Sequence, residues 1–313
     1  MSFDRRCFLT SSLTVLASVS KPQAAANEAK SGAGPGGVGC LIDTTLCIGC
    51  RQCEDACNRR NSLPRPVTPF RSKEVFSTVR RPTSAAFTVV NAYADPPSAD
   101  QPRRRETFVK KQCMHCIDPA CVSACIVGAL STAEDGAVVY NSDICIGCRY
   151  CLIACPFQIP AYEYHEPVSP RVRKCEFCTD LSAGFGANPA CAAACPTEAL
   201  TFGSRIRLLE MAHARIRQRP ERYEDSVYGE FEVGGTRWLY LFGRPASELG
   251  LPSLPEAAPP RLIESIQHGI FRYAAVPIAL YTLLGCVMLR NRRRRGLQEP
   301  ASDAATKPAV HIE

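Results

Sequence analysis

Four short runs of cysteine constrain the fold of this chain more than any other feature. Sixteen of its nineteen cysteines fall into four groups of four, and each group opens with a C-x-x-C step. Thiols crowded this closely cannot pair as unstrained disulfides, because a disulfide needs a defined separation and orientation of its two Cα atoms. They can instead bind metal. In chain order, quartets one to four are Cys47-Cys50-Cys53-Cys57, Cys113-Cys116-Cys121-Cys125, Cys145-Cys148-Cys151-Cys155 and Cys175-Cys178-Cys191-Cys195.

Quartets one and three have the spacing C-x₂-C-x₂-C-x₃-C, which is typical of bacterial ferredoxins. In such runs three thiolates bind one [4Fe-4S] cluster and the fourth binds another. Gly49 and Gly147 precede the second Cys of these quartets, and glycine lets the backbone approach the cluster closely. Sixteen thiolates therefore predict four [4Fe-4S] clusters and an electron-transfer protein. His115 lies inside the loop of quartet two, where it is a candidate for tuning that cluster.

Two other cofactor assignments are compatible with parts of the pattern. Structural zinc usually takes two C-x₂₋₄-C pairs, and quartets three and four alone would suit it. A zinc-binding scaffold would be colourless, whereas a cluster protein is brown. One of the four clusters could also be a three-iron cluster, although each quartet keeps four cysteines.

Composition argues against several other functions. The formal net charge of the 313 residues is +7, and no basic helix with interleaved aromatic residues indicates nucleic-acid binding. The sequence contains no Ser-His-Asp, general-base or phosphate-loop arrangement, and His165 and His268 lack catalytic partners. We therefore expect a chain that is not itself an enzyme, with catalysis in a partner subunit.

The N-terminus predicts export across a membrane. Arg5 and Arg6 precede a mildly apolar stretch and the small residues Ala24 to Ala26, which together resemble a twin-arginine signal peptide over 1–26. That route carries folded proteins, so clusters can be inserted before export. Cys7 and Cys40 lie outside the quartets and are interpreted as incidental.

The other end predicts a membrane anchor. Tyr273 to Leu289 is free of charged residues, and five arginines follow between 290 and 295. Such a stretch is at the lower limit for a single span, and the basic cluster favours the cytoplasm. We expect the cysteine-rich body on the periplasmic side of the bacterial inner membrane.

The remaining patterns predict an α+β fold with two ferredoxin-like cluster-binding modules and a single C-terminal transmembrane helix. Strands are expected at 87–90, 107–109, 137–140, 197–202 and 235–242. A basic helix is expected at 205–218 from the spacing of its apolar residues Ile206, Leu209, Met211 and Ile216. The expected domains are a signal peptide (1–26), a four-cluster region (40–205) with a basic, proline-rich insertion (58–112), a C-terminal extension and linker (206–262), a transmembrane helix (270–289) and a cytoplasmic tail (290–313).

The order of the quartets, with Lys111 to Pro119 opening the second, resembles the iron–sulfur subunits of complex iron–sulfur oxidoreductases. These include the beta subunits of dimethyl-sulfoxide reductase and formate dehydrogenase. The twin-arginine start, Gly234 to Thr236, Ile266 to His268 and the C-terminal helix ending in arginines are most similar to the membrane-anchored subunit of hydrogenase-2-type uptake hydrogenases.

The resemblance implies a pairing of the quartets that spacing alone leaves open, since quartets one and two could also pair in sequence. Quartet one is expected to pair with four, and two with three. The implied ligand sets are Cys47, Cys50, Cys53 and Cys195 (cluster 1); Cys57, Cys175, Cys178 and Cys191 (cluster 2); Cys113, Cys116, Cys121 and Cys155 (cluster 3); and Cys125, Cys145, Cys148 and Cys151 (cluster 4).

The resemblance also implies partner subunits. A hydrogenase small and large subunit would oxidise hydrogen, and a polytopic membrane subunit would reduce quinone. A molybdenum catalytic subunit of the formate dehydrogenase or dimethyl-sulfoxide reductase type is the alternative partner.

Overall fold

A computed structural model describes residues 36–95, 106–182, 188–260 and 277–292. These residues divide into two units, with the boundary between Pro260 and Arg261. All four quartets lie in the first unit. The predicted signal peptide, the arginines at 103–105 and Ile266 to His268 lie outside the described residues, as do 270–276 and 293–313 of the predicted anchor and tail.

The first unit is built from short strands and helices, in keeping with the predicted mixed fold. The strands are β1 (Val38–Asp43), β2 (Val89–Ala94), β3 (Glu106–Lys111), β4 (Leu130–Thr132), β5 (Val138–Tyr140), β6 (Ala161–Tyr162), β7 (Val172–Arg173), β8 (Leu200–Ser204) and β9 (Trp238–Leu241). The α-helices are α1 (Gln52–Arg60), α2 (Ala120–Ser123), α3 (Tyr150–Ala154), α4 (Thr179–Ser182), α5 (Ala190–Ala193) and α6 (Arg205–Gln218). Short 3₁₀ segments occur at Glu74–Ser77, Glu232–Gly234 and Ala246–Leu249.

A three-stranded sheet in the order β8-β1-β9 forms the centre of the unit. β1 pairs antiparallel with β8 and parallel with β9, so the extension after the quartets completes the sheet. The strand predicted at 235–242 is therefore present as the shorter Trp238–Leu241, and it does pair at the sheet edge. All six residues of β1 are buried, and the sequence analysis did not predict this strand.

The described residues also form three two-stranded sheets. β2 and β3 pair antiparallel within the insertion, close to the strands predicted at 87–90 and 107–109. β4 pairs with β5 between quartets two and three, which places the predicted 137–140 strand in a hairpin. β6 and β7 form a third pair after quartet three.

Helix α6 has the predicted bounds, but of the predicted apolar spacing only Ile216 belongs to its buried face. Leu208, Ala212 and Ile216 are buried against Leu41 and neighbouring residues of β9. Ile206 and Met211, which were part of the predicted apolar pattern, are exposed. The buried positions follow i, i+4, i+8, a single stripe along a helix that packs on a sheet.

The second unit contains a helix over residues 277–292, which includes part of the predicted span. Among the residues that the structure describes, no helix has both the length and the apolar character that crossing a membrane requires.

Candidate metal-cluster sites

The four C-x-x-C steps share one backbone conformation. The residue before the second Cys has a positive φ in every quartet: 68° at Gly49, 48° at His115, 69° at Gly147 and 64° at Phe177. This left-handed turn directs a backbone N–H at the first sulfur, as Gly147 N does to Cys145 Sγ at 3.5 Å. Phe177 N donates to Cys175 Sγ at 3.4 Å in the same way. The quartets thus form the same local loop despite their different spacings.

Steric contacts explain why two of these positions are glycine. A Cβ atom at Gly49 would lie 2.5 Å from the ring of Phe108, and one at Gly147 would lie 2.8 Å from Tyr162 Oη. The sequence indicated that glycine allows close approach to the cluster; the structure adds aromatic side chains packed over the loops. His115 and Phe177 take the same φ without glycine, which is unusual for residues of this size.

Quartets one and four interleave to line two neighbouring cavities. The thiols of Cys47, Cys50, Cys53 and Cys195 line one cavity. The thiols of Cys57, Cys175, Cys178 and Cys191 line the other. Helices α1 and α5, which carry Cys53 and Cys57 on one side and Cys191 on the other, pack against each other and bring the two quartets together.

Quartets two and three are brought together in the same crossed manner. The pKa of the Cys116 thiol is raised well above its ordinary value by burial, and then by the charges of Cys121, Cys113 and Cys155. Burial likewise raises the pKa of Cys151 to about 11, with further contributions from Cys125, Cys145 and Cys148. In each set one thiol comes from the other quartet. The thiols around Cys116 and around Cys151 are thus drawn from both quartets, and their division into two ligand sets stays a prediction.

The chemistry of these sites fits iron–sulfur clusters. The quartet cysteines are free thiols, and most are buried or partly buried. Burial raises the pKa of Cys47 to about 11, of Cys57 to about 12 and of Cys155 to about 11. Metal binding needs the thiolate, so a cation must supply the free energy that ionises these groups. Soft thiolate sets of this kind suit Fe–S clusters.

His115, inside the loop of quartet two, also contacts the loop of quartet four. Its ring is fully buried, and its Nδ1 accepts a hydrogen bond from Val138 N at 2.9 Å. The ring meets Phe177 edge-on, with 4.8 Å between the centroids. Burial, together with the charges of Lys174 and Arg237, holds the pKa of His115 well below its ordinary value, so the imidazole is neutral. Its tuning role stays a prediction.

Several residues near the cluster sites were not found from the sequence. Lys110 and Lys174 are buried lysines, and the Nζ of Lys174 donates to the carbonyls of Val138 and Cys175. Cys40, interpreted as incidental, is fully buried in β1 close to the quartet-four thiols. In the sequence, Lys110 follows an apolar pair and Lys174 directly precedes quartet four. Neither position distinguishes a buried lysine from an exposed one.

A buried ion-pair network attaches the insertion to the cluster-bearing helix α1. The Glu54 carboxylate accepts hydrogen bonds from Arg51, Arg80 and the backbone N of Val90 at 2.6 to 2.9 Å. Arg51 also donates to three backbone carbonyls between residues 69 and 72. The loop after α1 and strand β2 are thereby held beside Cys53 and Cys57.

Arg237 connects the central sheet with the β4-β5 hairpin. Its Nε donates to Gly136 O at 2.7 Å, and its Nη1 donates to Gly36 O at 2.9 Å. Burial, with the charge of Arg205, lowers the pKa of Arg237 to about 10. The central sheet and the β4-β5 hairpin are therefore joined through the interior, and the extension after quartet four supplies the connecting arginine.

Comparisons with known proteins agree with this geometry. A family model described as a 4Fe-4S dicluster domain matches residues 105–205, which contain quartets two to four. A protein of Nitratidesulfovibrio vulgaris is 47% identical over 265 residues, or 81% of this chain and 70% of that protein.

Two relatives have informative names. The hydrogenase-2 operon protein HybA of Escherichia coli O157:H7 is 32% identical over 286 residues, or 83% of this chain and 86% of that protein. The iron–sulfur subunit of the nitrate-inducible formate dehydrogenase of Escherichia coli K12 is 35% identical over 223 residues, or 69% of this chain and 72% of that subunit. These matches confirm the ferredoxin-type fold and four [4Fe-4S] clusters as the cofactors, in place of structural zinc.

Proposed function

Since this chain belongs to the family of ferredoxin-type iron–sulfur electron-transfer subunits of oxidoreductase complexes, we propose that it relays electrons between a hydrogenase catalytic pair and a quinone-reducing integral membrane subunit. When bound, the clusters supply one-electron redox centres. The polypeptide holds them at fixed positions and sets their potentials through hydrogen bonds to sulfur, nearby charges and burial. Catalysis lies in the partner.

The crossed arrangement of the quartets is the observation that carries this proposal. Lys110 lines both cavities of quartets one and four, so these two cluster sites are adjacent inside one buried body. The ring of His115 in the quartet-two loop meets the ring of Phe177 in the quartet-four loop, which supports a third site adjacent to the second. A continuous series of redox sites suits a relay.

We assign each site to three cysteines of one quartet and the last cysteine of its partner quartet. The thiol groupings in the two cavities and around Cys116 and Cys151 support this assignment. The proposed ligands are Cys47, Cys50, Cys53 and Cys195; Cys57, Cys175, Cys178 and Cys191; Cys113, Cys116, Cys121 and Cys155; and Cys125, Cys145, Cys148 and Cys151.

The extent of the similarity favours a hydrogenase partner over a molybdenum enzyme. The match to HybA covers 83% of this chain, whereas the match to the formate dehydrogenase subunit covers 69%. The sequence identity to the formate dehydrogenase subunit is 35% over its shorter match, against 32% for HybA. A molybdenum partner is therefore the second candidate.

Reduction of the clusters by hydrogen tests the proposal. The chain is purified from membranes with its partners under anaerobic conditions, and electron paramagnetic resonance is recorded after addition of hydrogen and then of a quinone. We expect hydrogen to reduce the clusters and quinone to reoxidise them. Reduction by formate but not by hydrogen would favour the molybdenum alternative, and reduction by neither would overturn the proposal.

We also propose that the chain is exported by the twin-arginine route and anchored on the periplasmic side of the inner membrane by a helix over 270–289. The paired arginines, the apolar stretch and the arginines after Leu289 support this topology, because the two ends independently predict the same orientation.

Two variants separate export from anchoring. Changing Arg5 and Arg6 together to lysine keeps the charge but not the guanidinium groups, and should leave brown protein in the cytoplasm. Deleting residues 270–313 should instead yield brown, soluble periplasmic protein. Normal export of the lysine variant would rule out the twin-arginine route. A truncated chain that stays firmly on the membrane would show that a partner subunit holds it there.

A further inference from the structure

Lys110 is a buried lysine held by neutral groups. It is 2% exposed, and its Nζ lies 4.3 Å from the ring centroid of Trp238. Nζ also donates a hydrogen bond to Gln112 Oε1 at 2.9 Å. The amide of Gln112 in turn donates to Tyr240 Oη at 2.9 Å, and that hydroxyl donates to the carbonyl of Lys110 at 2.8 Å. This closed set of contacts fixes the ammonium group in one position.

That position is next to two cluster sites at once. Lys110 lines the cavity of Cys47, Cys50, Cys53 and Cys195 and also the cavity of Cys57, Cys175, Cys178 and Cys191. The ammonium charge therefore lies beside the ligand cysteines of both sites.

We propose that the fixed positive charge of Lys110 raises the reduction potentials of both neighbouring clusters. One-electron reduction adds one negative charge to a site, and a fixed positive charge in a low-dielectric interior stabilises the reduced form. A single lysine between two sites acts on both, so it shifts the two reduction potentials in the same direction. The inference rests on the proposed ligand sets, but it does not depend on which catalytic partner supplies the electrons.

The adjacent Lys111 provides a matched control. Successive residues of a strand point to opposite faces, so Lys111 carries the same charge on the other side of β3. Its Nζ donates to the carbonyl of Gly250 and its side chain is only partly buried. Lys111→Met removes the same charge from the same strand without entering either cavity.

The test is a redox titration of anaerobically purified protein with its clusters, using dithionite as the reductant and electron paramagnetic resonance as the readout. Lys110→Met retains the aliphatic stem over Trp238 and should lower the midpoints of the two clusters that Cys50→Ser and Cys178→Ser also perturb. The expected change is at least tenfold in the ratio of oxidised to reduced form, equivalent to about 59 mV for one electron. Lys110→Arg keeps the positive charge and should retain most of the original midpoint potentials. Lys111→Met should leave both midpoint potentials near those of the unaltered protein.

The proposal would be overturned if Lys110→Met shifted the midpoint potential of only one of the two clusters, or of neither. An equal shift in Lys111→Met would also overturn it. If Lys110→Met does not retain its iron, Lys110→Gln is titrated instead. Loss of iron from both, with retention in Lys110→Arg, would contradict a tuning role and assign the lysine to cluster assembly. Because dithionite replaces the natural donor, failure of hydrogen to reduce the protein would affect the proposed function and leave this result intact.

Discussion

Changing Glu54 to Gln tests whether the buried ion-pair network holds the insertion on helix α1. The Glu54 carboxylate is 3% exposed and accepts hydrogen bonds from Arg51 at 2.9 Å and from Arg80 at 2.7 Å. Glutamine keeps the shape but removes the charge and turns an N–H₂ group towards a guanidinium.

The magnitude follows from the burial of the partners. Removing one member of a buried pair costs about 3–5 kcal/mol, because the remaining charge is left uncompensated. Arg51 is buried, but Arg80 is 24% exposed and keeps part of its hydration, so the lower value of about 3 kcal/mol applies. For a domain of this size such a loss lowers the melting temperature by roughly 10 °C.

The assay is loss of visible absorbance on heating anaerobic protein at one fixed scan rate, since cluster loss makes unfolding irreversible. Asp55→Asn is the control, because it makes the same carboxylate-to-amide change one residue further along α1. Asp55 is 30% exposed and pairs with Arg59 and Arg65 on the surface, where such pairs contribute about 0–1 kcal/mol. Equal shifts in the two variants, or no shift in Glu54→Gln, would refute a structural role for the buried network.

Two further results are expected. Gly49→Ala should destabilise the protein more than Gly128→Ala in the same heating assay. Both glycines have a φ near 70°, a conformation that costs alanine about 1–2 kcal/mol. Only at Gly49 would the new Cβ also clash with the ring of Phe108. Equal losses of stability in the two variants would mean that the ring moves aside. Chemical analysis of anaerobic protein should give about sixteen iron and sixteen acid-labile sulfide per chain. A value near eight with matching zinc would contradict four clusters.

Sequence patterns predicted the secondary structure best where one periodicity dominates. The helix at 205–218 was found with its bounds, but its buried face was not, because apolar residues occur on two faces and only packing on β1 and β9 selects Leu208, Ala212 and Ile216. Strand β1 was missed because it is buried on both faces and so lacks alternation. Its partners also lie about 160 and 200 residues further along the chain, beyond the reach of a local pattern.

The cluster sites show a similar division. Local spacing was enough to predict sixteen thiols as ligands, since a C-x-x-C loop is encoded by adjacent residues. It could not show which quartets meet, because that depends on the packing of α1 against α5. Nor could it distinguish Lys110 from Lys111, which are chemically identical and adjacent. Only the pairing of β3 with β2 and the position of Trp238 decide which lysine enters the interior.

The crossed ligand assignment is tested most directly by electron paramagnetic resonance of single Cys→Ser variants. Cys57 belongs to quartet one by sequence, but it lines the same cavity as Cys178 of quartet four. We predict that Cys57→Ser and Cys178→Ser change the same cluster signal, and that Cys57→Ser leaves the signal altered by Cys50→Ser nearly normal. If Cys57→Ser and Cys50→Ser instead change one signal, with that of Cys178 unaffected, the crossed arrangement is wrong.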